Sequence, residues 1–324
     1  MRHPSTHPRV RLVVAALLLT ACAKEPQTLT KPDFAVRYAA AANLSAWSEA
    51  TSTSFTEINT ASWTEGCPFI GKSGNVLYFA SNRAGGYGGL DLYFSYWDDV
   101  AQAWGEPTNM GPGINTASNE QCPLVLNSGK ELIFASDRSG GAGGLDLWLA
   151  DRRDHRDDLG WQSPVNLTAL NTGAEEFGPG AYEEEDGTTV LYFNSNRSGG
   201  AGKHDLYVST RSPGGTFLPP VPAAGLNTPA EEQFASLSKD GREIFFSSDR
   251  PGGQGLLDLW HASRESTSDL WDAPVNLGPA VNSTAIEGRS AIAWDGMTLI
   301  FNSNRAGSMD LYQTTRTRLT GRRN

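Results

Sequence analysis

The sequence predicts an all-β fold, a five-bladed β-propeller with four antiparallel strands per blade. Three observations predict it. One motif recurs five times at a spacing of about 55 residues, each copy carries the signals of four short strands, and a stray fourth-strand signal stands before the first copy. The marker is Ser-(Asn/Asp)-Arg at the end of an aromatic strand: YFASNR (78–83), IFASDR (133–138), YFNSNR (192–197), FFSSDR (245–250) and IFNSNR (300–305). Its arginines, Arg83, Arg138, Arg197, Arg250 and Arg305, lie 55, 59, 53 and 55 residues apart. Self-similarity at this period marks a solenoid, an array or a propeller.

Within a copy the elements follow in order. A Glu (Glu65, Glu120, Glu176, Glu232, Glu287), preceded by an Asn-(Thr/Ser) pair, opens the first strand. A Gly-bearing turn such as Asp240-Gly241 or Asp295-Gly296 is a hairpin signal and leads to the aromatic second strand. A Gly-rich turn follows, and Asp-Leu-(Tyr/Trp) begins the third strand at Asp91, Asp146, Asp205, Asp258 and Asp310. The fourth strand is the Trp-x-x-Pro-x-Asn segment at Trp104, Trp161 and Trp271, degenerate at Phe217 to Pro220. Proline is tolerated there because an edge strand has an outward N–H that needs no partner. Four antiparallel strands repeated around an axis make a propeller.

The last copy stops after its third strand, near Thr314, and the lone signal Trp47 to Ala50 precedes the first copy. The N-terminal strand is therefore expected to complete the last blade, since an open arc would leave two apolar blade faces in water. The propeller is assigned to residues 47–316, with a C-terminal tail at 317–324.

Ahead of it, Arg2, Arg9 and Arg11 and the apolar run Val13 to Leu19 have the layout of a signal peptide, residues 1–21, too short to span a bilayer. Leu19-Thr20-Ala21-Cys22 resembles a bacterial lipobox, which implies acylation of Cys22, with residues 22–46 forming the lipidated Cys and a tether. More than one acyl chain gives a stable anchor. Ala23, where Asp is absent, points to the outer membrane by resemblance to lipoprotein sorting patterns. The expected location is the cell envelope, facing the periplasm or the cell surface.

Removing residues 1–21 takes away three Arg and moves the formal charge from -10 to -13. So acidic a body has no basic patch for a phosphate backbone, which argues against nucleic acid. Membrane contact is expected through the lipid alone, and the body is expected to be monomeric.

The motifs Asp-Gly-x-x-Ile-Phe-Phe-Ser-Ser-Asp-Arg (240–250) and Gly-Gly-x-Gly-x-x-Asp-Leu-(Tyr/Trp) at 85–93, 140–148 and 252–260 resemble the periplasmic WD40-like β-propeller repeat, the TolB-like kind. The resemblance covers residues 47–314. The chain departs from the TolB arrangement in having five blades and no room for its separate N-terminal domain, and no peptidoglycan-binding domain is attached.

For function, Glu65, Glu120, Glu176, Glu232 and Glu287 are candidate channel acids, since inner-strand positions of a propeller face a central channel. The competing reading makes each a hydrogen-bond acceptor or an ion-pair partner that fixes the blades. Repetition in every copy favours the structural role, as it does for the five arginines and for the aspartates of the third strand. Positions where the copies differ are more informative: Trp63, Tyr87, Trp97, His204, Arg289 and Trp294 are candidate rim contacts for sugar stacking or peptide capture. Cys67 and Cys122 occupy equivalent positions in adjacent copies, and an oxidising compartment permits a disulfide between them. Two Cys with no nearby His do not make a zinc site, no cofactor motif is present, and the Gly-Gly-x-Gly runs precede strands rather than phosphate-binding helices. The balance of these signals is against an enzyme. The expectation is a non-catalytic binding or scaffolding lipoprotein for an envelope protein or a carbohydrate. The alternative is a glycoside hydrolase using channel carboxylates, which needs two acids roughly 5 to 9.5 Å apart in unequal environments.

Overall fold

A computed structural model describes residues 43–319 of the chain. Residues 1–42, on which the expected signal peptide, Cys22 and most of the expected tether fall, lie outside the described residues, as do residues 320–324. Five antiparallel sheets follow one another along the chain. Each runs from an inner strand, Glu65–Ile70, Glu120–Val125, Glu176–Glu183, Glu232–Leu237 or Glu287–Ile292, through an aromatic second strand to a third that starts at the motif Asp. The outermost strands are only two residues long (Thr108–Asn109, Val165–Asn166, Val221–Pro222 and Val275–Asn276) and sit just after the motif proline. Such short edges offer little to a foreign strand. Facing second strands supply the core between blades, with Phe79, Phe134, Phe193, Phe245, Phe246 and Phe301 fully buried. We call the face where inner strands begin the upper face, and the face of their hairpin turns the lower face.

The sheet of the last blade has three strands of its own, and the N-terminal segment completes it. Thr51 bridges to Gln313 and Leu44 to Arg318, both antiparallel, and the Ser48 N–H donates to the Thr315 carbonyl at 2.8 Å. Asn59 Nδ2 donates to the Leu311 carbonyl at 2.9 Å and its Oδ1 accepts the Leu311 N–H at 2.8 Å. Asn115 makes the same pair of bonds to Leu92 in blade one.

The structure also contains a second arginine ring that the repeat analysis did not single out. Six residues after the third-strand Asp stand Arg152, Arg211, Arg264 and Arg316, with Trp97 in blade one. Each guanidinium lies over the ring of the outer-strand motif: Trp161 at 4.2 Å, Phe217 at 4.9 Å, Trp271 at 4.1 Å and Trp47 at 4.6 Å. Trp47 thus occupies in blade five the place that Trp161 and Trp271 hold in theirs. Three of these arginines also reach the preceding blade: Arg211 through both oxygens of Glu131 at 2.7 and 2.9 Å, Arg316 through both oxygens of Glu243 at 2.9 and 2.7 Å, and Arg264 through the Tyr182 hydroxyl at 2.9 Å. Bidentate, partly stacked arginine suits its planar fork.

Burial works against the charge of Glu243, yet hydrogen bonds from His261 and Arg316 outweigh it and hold the carboxyl well below its ordinary value of 4.5. A carboxylate with a depressed folded pKa adds stability above its unfolded pKa and loses it as pH falls toward the folded one. Glu243→Gln is therefore expected to be less stable than the native chain by about 3 kcal/mol at neutral pH. That gap should be full above about pH 5 and shrink progressively in stronger acid, as read from denaturant midpoints across pH. A gap that does not change with pH would remove the charged clasp from the account of closure.

Candidate functional site

The five motif glutamates stand at the upper ends of the inner strands, each with no exposed surface. In blade two, Glu120 accepts from the Thr116 N–H and hydroxyl, both at 2.7 Å, from the Ser136 hydroxyl at 2.9 Å, and pairs with Arg138 at 3.1 Å. Blades three to five repeat this set, and blade one repeats it with the Thr60 N–H in place of both Thr donors; the Arg–Glu separations are 3.0 to 3.2 Å. Each arginine also donates to a carbonyl of the preceding connection, for example Arg250 to Leu226 at 2.6 Å. Burial pushes the Glu65 carboxyl up, opposed mainly by Arg83. The candidate reading of these carboxylates as open channel acids does not hold, and the structural role that their repetition favours does: every one is fully buried and held by donors of the repeat motif. The motif Asp anchors the Gly-rich turn, as when Asp91 accepts the Tyr87 N–H at 2.6 Å. That turn lies against the next blade so closely that a Cβ on Gly88 would stand 2.0 Å from the Ser118 carbonyl oxygen.

The axis is lined by the residues two positions after each Glu. A β-bulge in every inner strand puts Cys67, Cys122, Gly178, Phe234 and Arg289 at positive φ, between 45° and 64°. An L side chain in this region costs roughly 1–2 kcal/mol, so four blades keep side chains where glycine would be easier. Cys67 and Cys122 are joined by a disulfide, with Cα atoms 4.7 Å apart. Arg289 lies over the Phe234 ring at 4.3 Å. The next layer along the axis is Pro68, Pro123, Pro179, Ala235 and Ser290. Arg289, expected on the rim, is therefore an axial residue.

Symmetry breaks on the upper face between blades three and four. The residue just before the motif Glu is Thr64, Asn119, Glu175, Glu231 and Ile286 in turn, acidic in two neighbouring copies. His204 replaces the Leu that stands at residues 90, 145 and 257 and the Met at 309. Its Nδ1 lies 2.8 Å from Glu231 and its Nε2 3.3 Å from Glu175. Gln233 Nε2 donates to Glu231 at 2.8 Å and approaches His204 Nδ1 at 3.2 Å. Carboxylates only accept, so satisfying both ring contacts needs an imidazolium or one carboxyl that keeps its proton. Lys203 adds looser pairs to Glu231 and Asp249, at 3.7 and 3.5 Å, and is mostly exposed, so they contribute little. Phe177 packs on the His204 ring and on Phe234, centroids 5.3 Å apart in both cases, which links this cluster to the axis. The repeat comparison found His204 but passed over Glu175 and Glu231, because each adjoins an invariant glutamate; the signal was that its neighbour position is acidic in only two copies.

The aromatic candidates do not form one platform. Trp63 and Tyr87 are exposed on the upper-face connections. Trp97 is half-buried against Trp104, centroids 5.3 Å apart, at the lower end of its strand. Trp294 lies in a lower-face turn with Lys72 and Lys239 over its ring at 5.0 and 5.3 Å. Among the described residues no group of three or more His, Cys, Asp or Glu converges as a metal site would require, and no helix is long and apolar enough to cross a membrane.

No family model matches the chain, and no curated protein does. Solved structures match over most of its length. A thermostable family-43 glycoside hydrolase aligns with a TM-score of 0.56 at 16% identity, covering 83% of this chain and 93% of the other. An α-L-arabinofuranosidase from Lactobacillus brevis aligns at 0.55 and 13%, covering 81% and 93%. TolB from Acinetobacter baumannii aligns at 0.49 and 12%, covering 89% and 68%. At such identity the likeness to the two hydrolase structures shows the fold alone. The expectation weighted against an enzyme is corrected by these likenesses: the propellers this chain is similar to include several glycoside hydrolases, so its architecture is one on which those proteins cleave glycosidic bonds.

Replacing Arg250 by Met strips the fully enclosed Glu232 of its cation and is expected to lower stability by about 3 kcal/mol, measured by denaturant unfolding. A loss below about 0.5 kcal/mol would show that the pair does not hold the blade.

Proposed function

We propose that the chain is a cell-envelope propeller that acts on a glycan, cleaving a glycosidic bond at the upper-face pair Glu175 and Glu231. The observation that carries this reading is the break in five-fold symmetry: acids in two adjacent copies, with one imidazole between them. A ring and two hydrogen bonds separate the carboxylates, which suits the roughly 5 to 9.5 Å that hydrolytic pairs span. Their surroundings differ, as such pairs require. Glu231 is half-buried and held by Gln233, His204 and Lys203, which suits an ionised base or nucleophile. Glu175 is more exposed and meets the other edge of the same imidazole, so a substrate can reach it from solvent and the ring can carry a proton between the two carboxyl groups. The likeness to a family-43 glycoside hydrolase and to an arabinofuranosidase supports the choice of a glycan as substrate.

The test is a screen of the purified chain on arabinan, xylan and envelope polysaccharides for released reducing ends. Glu231→Gln is expected to lower turnover by about 10² to 10⁴, with binding retained. Turnover indifferent to changes at both Glu175 and Glu231 would overturn the assignment of the site. Binding of a glycan without turnover, or of an envelope protein instead, would replace hydrolysis by capture.

The same reading places the propeller in the outer membrane through a lipid on Cys22. Intact mass of the membrane fraction is expected to show loss of residues 1–21 and added acyl chains, and Cys22→Ser to give an unacylated product. Equal masses for the two mature proteins, apart from the substitution, would reject the anchor.

A further inference from the structure

We propose that Arg289 and Ser290 form an anion site on the propeller axis that takes a single carboxylate group. Arg289 comes from the inner strand of blade five and reaches the axis through the bulge. Protein surrounds its guanidinium, and burial lowers it to about 9, yet part of the side chain keeps an accessible surface in the channel. Among the described residues it makes no ion pair; its contacts are the sulfur of Cys67 and the face of Phe234 at 4.3 Å. Every other arginine that is enclosed in the blade framework has a carboxylate or, for Arg264, a tyrosine hydroxyl and a carbonyl. A cation taken out of water without a partner is expensive, and a ring face recovers only part of that.

The second observation is independent. Ser290 stands in the layer that is otherwise Pro68, Pro123, Pro179 and Ala235, and its buried hydroxyl has no hydrogen-bond partner. A guanidinium and a hydroxyl from residues that line one axial cavity, among proline, sulfur and phenylalanine, are donors without an acceptor. Arg289 and Ser290 together line a cavity of about 30 Å³, and Ser290 also borders a second of about 60 Å³ toward the lower face, where one water needs roughly 10–15 Å³. That admits a carboxylate and a few waters but no sugar ring. The group can be a free small carboxylate or the carboxylate of a uronic acid whose ring stays outside on the upper face. The site lies across Phe234 and Phe177 from the Glu175–Glu231 pair and does not depend on hydrolysis there.

Calorimetric titration of the whole chain at constant ionic strength, with acetate, D-glucuronate and D-glucose, tests it. Both carboxylates are expected to bind and glucose is not. Tighter binding of glucuronate than acetate assigns the site to an acidic sugar, and equal binding to a free small carboxylate. Arg289→Gln is expected to weaken binding at least about tenfold, and Ser290→Ala, which keeps the cation, about three- to tenfold. Full affinity in either variant overturns the site, and so does a native chain that binds neither carboxylate or all three probes alike. Should Arg289→Gln fail to fold, Ser290→Ala decides alone.

Discussion

The whole ring depends on a carboxylate that has been removed from water at the head of every inner strand. A glutamate with no exposed surface is tolerable only if its oxygens are filled by donors. The donors come from three separate stretches: the connection just before it, the end of the second strand, and the arginine beyond. Because that arginine also donates to a carbonyl of the preceding connection, satisfying one charge fixes three segments at once. The aromatic rings beneath the guanidinium, such as Phe134 at 4.9 Å and Trp148 at 5.3 Å from Arg138, join the polar knot to the apolar core. Charge, hydrogen bonding and packing therefore specify the same blade geometry five times over.

That arrangement explains what could be read from the sequence. Blade number, strand order and closure by the Trp47 segment were legible because each rests on a motif repeated with its spacing, and a repeat makes its structural constraint visible. The second arginine ring was hidden by the change to Trp97 in blade one, although its partners, the outer-strand tryptophans, had been recognised. The axial position of Arg289 was not legible, since it depends on a bulge that turns a strand residue inward, and no residue type signals that bulge when four of the five copies lack glycine there. Distance was equally hidden for the aromatic candidates, which share a composition but stand on opposite faces.

The division between framework and function follows the same line. Residues present in all five copies are engaged with one another and have little left to offer a ligand. The aromatic differences between copies are scattered, but the polar ones singled out above gather in two places, the seam between blades three and four and the axis beside blade five. There, side chains of Glu175, His204, Glu231, Arg289 and Ser290 carry polarity that the framework does not use up. A five-fold scaffold that has met its own requirements can accept asymmetric substitutions at such points without disturbing its blades.

The fastening of the ring has a mechanical side. Leu44 and Arg318 are paired neighbours, so the incoming and outgoing chain pass the rim at the same corner of blade five. Tension drawn between those two points would act across the ladder there, opening its hydrogen bonds one after another like a zip. A load shared by the whole strand in shear would meet far more resistance. Residues 44 to 51 are thus the part of the propeller that would yield first under pull, while the four other outer strands, continuous with their own blades, would feel almost none of it.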